Sequence, residues 1–197
     1  MTSTRGGIKV ERATVTAHVD GDTIEVRRSS GEVTPVRLIG MDTPEIDDEG
    51  YEAASAFTAK RAPVGSTVSL ELDRERRDRF GRLLAYVWVE QPRARTLGHV
   101  RSRMLNAMLV ARGWATTLTI PPNIRYAGTF VVLQNAASST GAGLWTTGVC
   151  DRAYPDVCIP PPPPDLDCIH ILHRDFVVRG ADPHAFDADG NGRGCES

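Results

Sequence analysis

Val, Thr and Ile recur through residues 9–18 and 23–28 on either side of the Asp20-Gly21-Asp22 turn, and Ser29-Ser30-Gly31 offers a second turn before 33–39. That alternation predicts three antiparallel strands. The acidic run Asp47-Asp48-Glu49 stands before a helix predicted over about 50–61, because negative charge suits a helix N-terminus, and Gly65 closes it. Two more strands are predicted at 68–72 and 83–89, separated by a strongly basic stretch at 74–82 that reads as an exposed loop. Met104, Leu105, Met108, Leu109 and Ala111 recur at helical spacing, which predicts one helix over 100–112 with Gly113 at its C-terminal cap. A third helix, at about 125–137, carries Phe130, Val131, Leu133 and Gln134. Five strands and three helices in about 140 residues predict an α+β domain built on a five-stranded Greek-key barrel of the oligonucleotide-binding (OB) type.

Composition changes this picture only beyond residue 150. Of the 197 residues, 1–150 carry 19 Lys+Arg against 16 Asp+Glu, whereas the remainder carry 4 against 9, so a +3 body precedes a −5 tail. Cys150, Cys158, Cys168 and Cys195 all fall in the last 48 positions, in a segment poor in aliphatic residues, which fits a disulfide-stapled module in an oxidising compartment. A Cys-only zinc site would need paired C-x-x-C spacing, which is missing. Pro160–Pro164 reads as a stiff extended spacer, so the expected domains are 9–148, a Cys/Pro-rich linker at 149–164 and a small module at 165–197. No apolar run approaches the roughly 20 residues of a membrane span. The first seven residues lack the apolar core of a secretion signal; the cysteine pattern favours an extracellular protein whose leader lies outside this sequence.

Three separated segments concentrate charge. VDGDT brings Asp20 and Asp22, VRLIGMDTPE brings Arg37, Asp42, Thr43 and Glu45, and RDRFGR brings Asp78, Arg79, Phe80 and Arg82. Asp22 and Asp42, with the Thr43 carbonyl, are hard oxygen donors suited to calcium, and Glu45 lies close enough in sequence to hold a water. Arg37 and Arg82 suit a phosphate, whose oxygens match a planar guanidinium bidentately. Each motif alone is more simply a turn or a solvated arginine. Their joint occurrence in this order favours a shared site for a cation and a phosphate.

Residues 9–148 resemble the thermonuclease family, the staphylococcal-nuclease-like domain. The resemblance is carried by VDGDT, VRLIGMDTPE, EAASAFT, RDRFGRLLAYV, MLNAMLVARGWA and GLW. It implies calcium ligands at Asp22, Asp42 and Thr43, a base or water-orienting role for Glu45, phosphate-binding Arg37 and Arg82, substrate contacts at Arg79 and Phe80, and supporting carboxylates at Asp20 and Asp78. The implied activity is calcium-dependent hydrolysis of DNA and RNA at the 5′-oxygen, leaving 3′-phosphate ends. Phe80 stands where the best-known members have Tyr, and Leu118 and Ile120 stand where relatives place tyrosines near the base.

The tail sequence DADGNGRGCE resembles the Excalibur calcium-binding region, a shortened EF-hand-like module. Asp187, Asp189, Asn191, Arg193 through its carbonyl and Glu196 would be the ligands of a second calcium, although only three residues separate Gly192 from Glu196 where an EF-hand has five. The expected disulfides are Cys150–Cys158 and Cys168–Cys195, one of three connectivities open to four cysteines. His18, His99, His170, His173 and His184 show no zinc spacing. Two other function classes compete with a monomeric secreted nuclease: a non-catalytic nucleic-acid-binding scaffold, and a tail whose calcium-dependent attachment to the cell envelope is the principal role.

Overall fold

The computed structural model describes residues 8–146, 151–157, 159, 161–162, 165–171 and 173–196. β1 (Glu11–His18), β2 (Thr23–Arg28) and β3 (Val33–Leu38) form where the β-branched alternation lies, and the turns between them bring each strand back antiparallel to the last. β5 (Thr67–Glu71) pairs antiparallel with β1 and with β6 (Leu83–Trp88), and β6 runs parallel to β3, which closes a five-stranded barrel in the order β1-β2-β3-β6-β5. Val15, Ile24, Val26, Val36, Leu38, Val68 and Leu70 are buried at alternate positions, as a strand with one face inward requires. Every residue of β6 is buried, because its inner face fills the barrel and its outer face meets the helices.

α1 (Tyr51–Arg61) forms as expected behind its acidic approach. The single helix expected over 100–112 is instead two, α2 (Leu97–Arg103) and α3 (Leu105–Ala111), so the barrel carries four helices with α4 (Ala127–Ser139), not three. The break is at Met104, which is extended at φ −96° and ψ 122°. Met104 bridges Trp88, and the Val89 N–H donates to the Arg103 carbonyl at 2.9 Å, so pairing with the end of β6 overrides a locally favourable helical run. β4 (Gly40–Asp42) and β7 (Thr116–Leu118) add a short antiparallel pair beside the barrel that the sequence pattern did not reveal.

Beyond residue 150 a second apolar cluster gathers Tyr154, Ile159, Leu166, Phe176 and Phe186 against Ala137 of α4 and Trp145. The Gln134 amide ties α4 to this tail by donating to the His170 carbonyl at 2.6 Å. Around the DADGNGRGCE loop stand only the two-residue strands β8 (Phe176–Val177) and β9 (Arg193–Gly194), with no flanking helices of an EF-hand among the described residues. No helix among the described residues is long and apolar enough to cross a membrane.

Candidate active site

The chain is folded into the site by two close approaches. Asp20 Oδ1 accepts the N–H groups of Asp22 (3.0 Å) and Thr23 (2.7 Å), an Asx turn that delivers Asp22 at the mouth of β2. A Cβ on Gly21 would stand 2.8 Å from Thr43 Oγ1 and 3.0 Å from the Ala54 Cβ, so the turn lies against β4 and α1 only because that residue is glycine. The Thr58 hydroxyl of α1 donates to the Gly21 carbonyl at 2.6 Å and fixes the same turn from the other side. Gly40, at φ +84° and packed on the Phe130 ring, turns β3 into β4 and so brings Asp42 back toward Asp22. Buried Asn106 holds that corner, donating to the Ile39 carbonyl and accepting the Val87 N–H, both at 2.9 Å.

At the centre, Arg37 of β3 bridges two carboxylates, Nη1 to Asp22 Oδ1 and Nη2 to Asp42 Oδ1. The second oxygen of buried Asp22 accepts the Thr43 N–H (3.1 Å) and hydroxyl (3.0 Å), and Oδ1 also accepts the Thr23 hydroxyl at 3.0 Å. Asp22, Arg37, Asp42 and Thr43 are therefore one assembly, in which Arg37 stands between the two carboxylates. Thr43 enters it through its N–H and hydroxyl, roles that sequence reasoning missed.

The 78–82 turn forms the next wall. Asp78 Oδ1 accepts the N–H groups of Phe80 and Arg82, both at 2.9 Å, and Oδ2 accepts Arg82 Nε at 2.7 Å. Partial burial alone would raise the Asp78 carboxyl; the Arg82 hydrogen bonds and charge, with the Phe80 N–H, outweigh it and hold the group below the usual carboxylate range. The Arg79 and Arg82 guanidiniums lie 4.7 and 5.5 Å from the centre of the Phe80 ring, which is 67% exposed. Arg37, Arg79, Phe80 and Arg82 face one groove of about 400 Å³, whose far side is aliphatic at Leu118 and Ile120.

Glu45 lies in an adjoining hollow of about 250 Å³ with Asp42, Thr43, Asp48, Glu49 and, from the tail, Asp165. A tight turn holds it: the Glu45 N–H donates to Asp48 Oδ2 at 3.1 Å and the Asp48 N–H to the Glu45 carbonyl at 3.0 Å. The arginine groove and the Glu45 hollow meet at the Arg37–Asp42 pair.

Among the described residues, no three His, Cys, Asp or Glu side chains are arranged as a ready-made metal site. At the centre the two carboxylates converge on a guanidinium instead. In the tail, Asp187 accepts the Asn191 (3.0 Å) and Gly192 (2.8 Å) N–H groups, while the Asn191 amide donates to Asp189 at 3.0 Å and to Glu196 at 2.6 Å. The Arg193 side chain turns away to Asp175 at 2.7 Å. This loop lines neither the arginine groove nor the Glu45 hollow. Cys168 and Cys195 are bonded as expected, and Cys150 and Cys158 lie outside the described residues.

A second polar cluster went unforeseen. Glu71, fully buried at the end of β5, accepts hydrogen bonds from Arg95 (2.5 Å), Arg125 (2.9 Å), Trp88 Nε1 (3.0 Å) and the Tyr126 hydroxyl (2.9 Å). Burial, with Asp73 beside Tyr86 and Glu71 beside Tyr126, pushes both phenols above their ordinary range and keeps them neutral donors.

The profile of the family described as "Staphylococcal nuclease homologue" matches residues 35–147, from β3 to the end of the helical layer. The chain is 36% identical over 134 residues to a protein named Thermonuclease from Staphylococcus intermedius, covering 64% of this chain and 71% of that one. It is 34% identical over 135 residues to Thermonuclease from Staphylococcus hyicus, covering 65% and 72%. It is also 30% identical over 145 residues to the SPbeta prophage-derived endonuclease YokF of Bacillus subtilis (strain 168), covering 69% of this chain and 45% of that one. With its closed barrel, paired loops and matched span, this chain belongs to the staphylococcal nuclease homologue family.

Proposed function

We propose that this chain is a calcium-dependent nuclease that hydrolyses the phosphodiesters of DNA and RNA, cleaving the bond from phosphorus to the 5′-oxygen and leaving a 3′-phosphate. Its thermonuclease and endonuclease relatives support the hydrolase class. The observation that carries the chemistry is the convergence of Asp22 and Asp42, from two distant loops, on Arg37, which also faces Arg82 across one groove.

The groove seats a phosphate between two guanidiniums, whose fixed N–H forks match its oxygens and stabilise the charge that grows as phosphorus becomes five-coordinate. Glu45, held by its turn at the edge of the adjoining hollow, orients a water and takes its proton as the oxygen bonds to phosphorus. The bond to the 5′-oxygen then breaks, and that oxygen takes a proton from solvent water as it leaves, while Glu45 later returns its own proton to solvent. For Arg37 to face the phosphate, its bonds to Asp22 and Asp42 must be exchanged for bonds to phosphate oxygens. Those two carboxylates then need another positive partner, which is the physical reason for a divalent requirement. Asp22, Asp42 and the Thr43 carbonyl are hard oxygen donors that fit calcium, which when bound supplies charge for a non-bridging phosphate oxygen. Arg79 and Phe80 contact the neighbouring nucleotide, while Asp20 and Asp78 hold Asp22 and Arg82 in place.

Asp187, Asp189, Asn191, the Arg193 carbonyl and Glu196 form the matching proposal for a second calcium, with three acidic side chains in one short loop. The Cys168–Cys195 bond supports an extracellular setting. The test is hydrolysis of plasmid and single-stranded DNA with calcium or chelator, using wild type and Glu45→Gln. The account expects 3′-phosphate ends, no turnover in chelator and loss of most turnover in the variant, by about 10²–10⁴-fold for a lost general base. Undiminished cutting by Glu45→Gln overturns the role of Glu45, and binding without cleavage by wild type supports the scaffold instead.

A further inference from the structure

Away from the groove, α1, α2 and α3 enclose a hollow of about 370 Å³ lined by Arg61, Arg101 and Arg112 around Phe57, Met108 and Ala111. Arg61 ends α1, Arg101 is in the last turn of α2, and Arg112 caps α3. A basic residue at a helix C-terminus has a plain explanation, since it offsets the helix dipole. That explanation does not require three guanidiniums from three helices to face one space. Nor does it account for their lack of carboxylate partners among the described residues, where neighbouring Arg103 is paired with Glu90. No acidic residue lines the hollow.

We propose that this hollow is a second phosphate-binding site, which holds the nucleic-acid strand at a phosphate beyond the one being cleaved. The inference rests on the nuclease reading and extends it to how long substrates are held. Three unpaired guanidiniums over a small apolar floor suit a phosphodiester, which brings negative charge and an apolar sugar face together. The body of the chain carries only a small positive excess, so local clusters such as this one must supply much of the attraction for a polyanion. α1 links the two places: Ala54 packs on the Gly21 turn, and Arg61 follows seven residues later, about 10 Å along the helix axis at 1.5 Å per residue. A substrate of one or two nucleotides fills the groove alone; a longer strand reaches the hollow.

The test compares wild type with the triple variant R61Q/R101Q/R112Q, using a 30-nucleotide single strand and a chromogenic dinucleotide ester, across a salt series. For the 30-mer, KM should rise by about tenfold, and the slope of log affinity against log salt should become shallower by up to about 2, at roughly 0.7 per lost contact on a single strand. kcat on both substrates and KM for the dinucleotide should not change. Unchanged KM and salt slope for the 30-mer, or equal losses on both substrates, overturn the proposal. If the triple variant does not fold, Arg101→Gln on the exposed face of α2 serves, with an expected slope change of about 0.7. Fluorescence anisotropy of the labelled 30-mer in chelator reads the hollow without turnover, so absent cleavage by wild type would sink the nuclease reading while leaving this arm decisive. Inorganic phosphate is titrated in the same assay; binding that saturates with phosphate but leaves strand affinity identical in wild type and variant also overturns the proposal.

Discussion

Truncating Arg82 to alanine separates catalysis from folding, because the structure gives the two effects different sizes. The side chain is 32% exposed and its ion pair with Asp78 is a single contact at 2.7 Å, of a kind that contributes about 0–1 kcal/mol. Its stacking on exposed Phe80, at 5.5 Å, adds about 0.5–1 kcal/mol. The turn itself survives, since Asp78 Oδ1 still accepts the backbone N–H groups of residues 80 and 82. Stability should therefore fall by about 1 kcal/mol, on the scale of these exposed contacts. Loss of a preorganised donor facing a developing charge costs about 2.7–4 kcal/mol in the barrier, or roughly 10²–10³ in kcat. The assay is kcat on a single-stranded oligonucleotide alongside urea denaturation of the same samples. Arg82→Lys should fall between the two, because it keeps the charge and loses the fork. A loss of activity under tenfold with folding intact refutes the role assigned to Arg82, and so does an activity loss that merely tracks unfolding.

Two further outcomes follow from groups outside the groove. Glu71→Ala removes the buried carboxylate shared by Arg95, Arg125, Trp88 Nε1 and the Tyr126 hydroxyl, and although Arg125 keeps Asp73, the two buried donors left unpaired should destabilise the barrel by about 2–4 kcal/mol, read as a lower urea midpoint. A change under 1 kcal/mol would show that the cluster is not structural. The half-buried His170 imidazole accepts the Asp167 N–H at Nδ1 (2.9 Å), and partial burial lowers its pKa against the opposing pull of Asp167 and Asp165. A folded-state pKa below the unfolded value, about 6.5, gives stability that is present above that pH and is lost as pH falls through the folded pKa. Hydrogen exchange of residues 165–171 should therefore accelerate as pH falls below about 6.5, after correction for intrinsic rates, and His170→Asn should flatten that dependence.

The barrel was legible because β1, β2, β3 and β5 place their apolar core residues at alternate positions, so the period shows in the sequence, while β6 stands out as a short apolar run buried throughout. β4 and β7 were not, since three residues carry no period and their pairing is decided by Gly40 folding back on Phe130. The break at Met104 was hidden for the opposite reason. Residues 104–110 are buried on every side, and an apolar run of that kind cannot announce where a strand end will interrupt it. In the site, Asp22, Arg37 and Asp42 were readable as motifs, but their shared ion pair is tertiary. So is the role of Thr43 as a double donor to Asp22. Glu71 carried no local signal at all: its partners lie 17 to 55 residues away.

The central claim is that Asp22 and Asp42, on giving up Arg37 to the phosphate, need calcium in its place. The most direct measurement is cleavage rate against free calcium for wild type and Asp42→Asn, with Asp22 and the fold left intact as judged by the urea midpoint. With only two carboxylates contributed by the protein, half-saturation should fall in the weak range, about 10⁻⁴–10⁻³ M, and Asp42→Asn should move it at least tenfold higher. Full turnover in chelator, or a calcium midpoint unmoved by Asp42→Asn, would contradict the account.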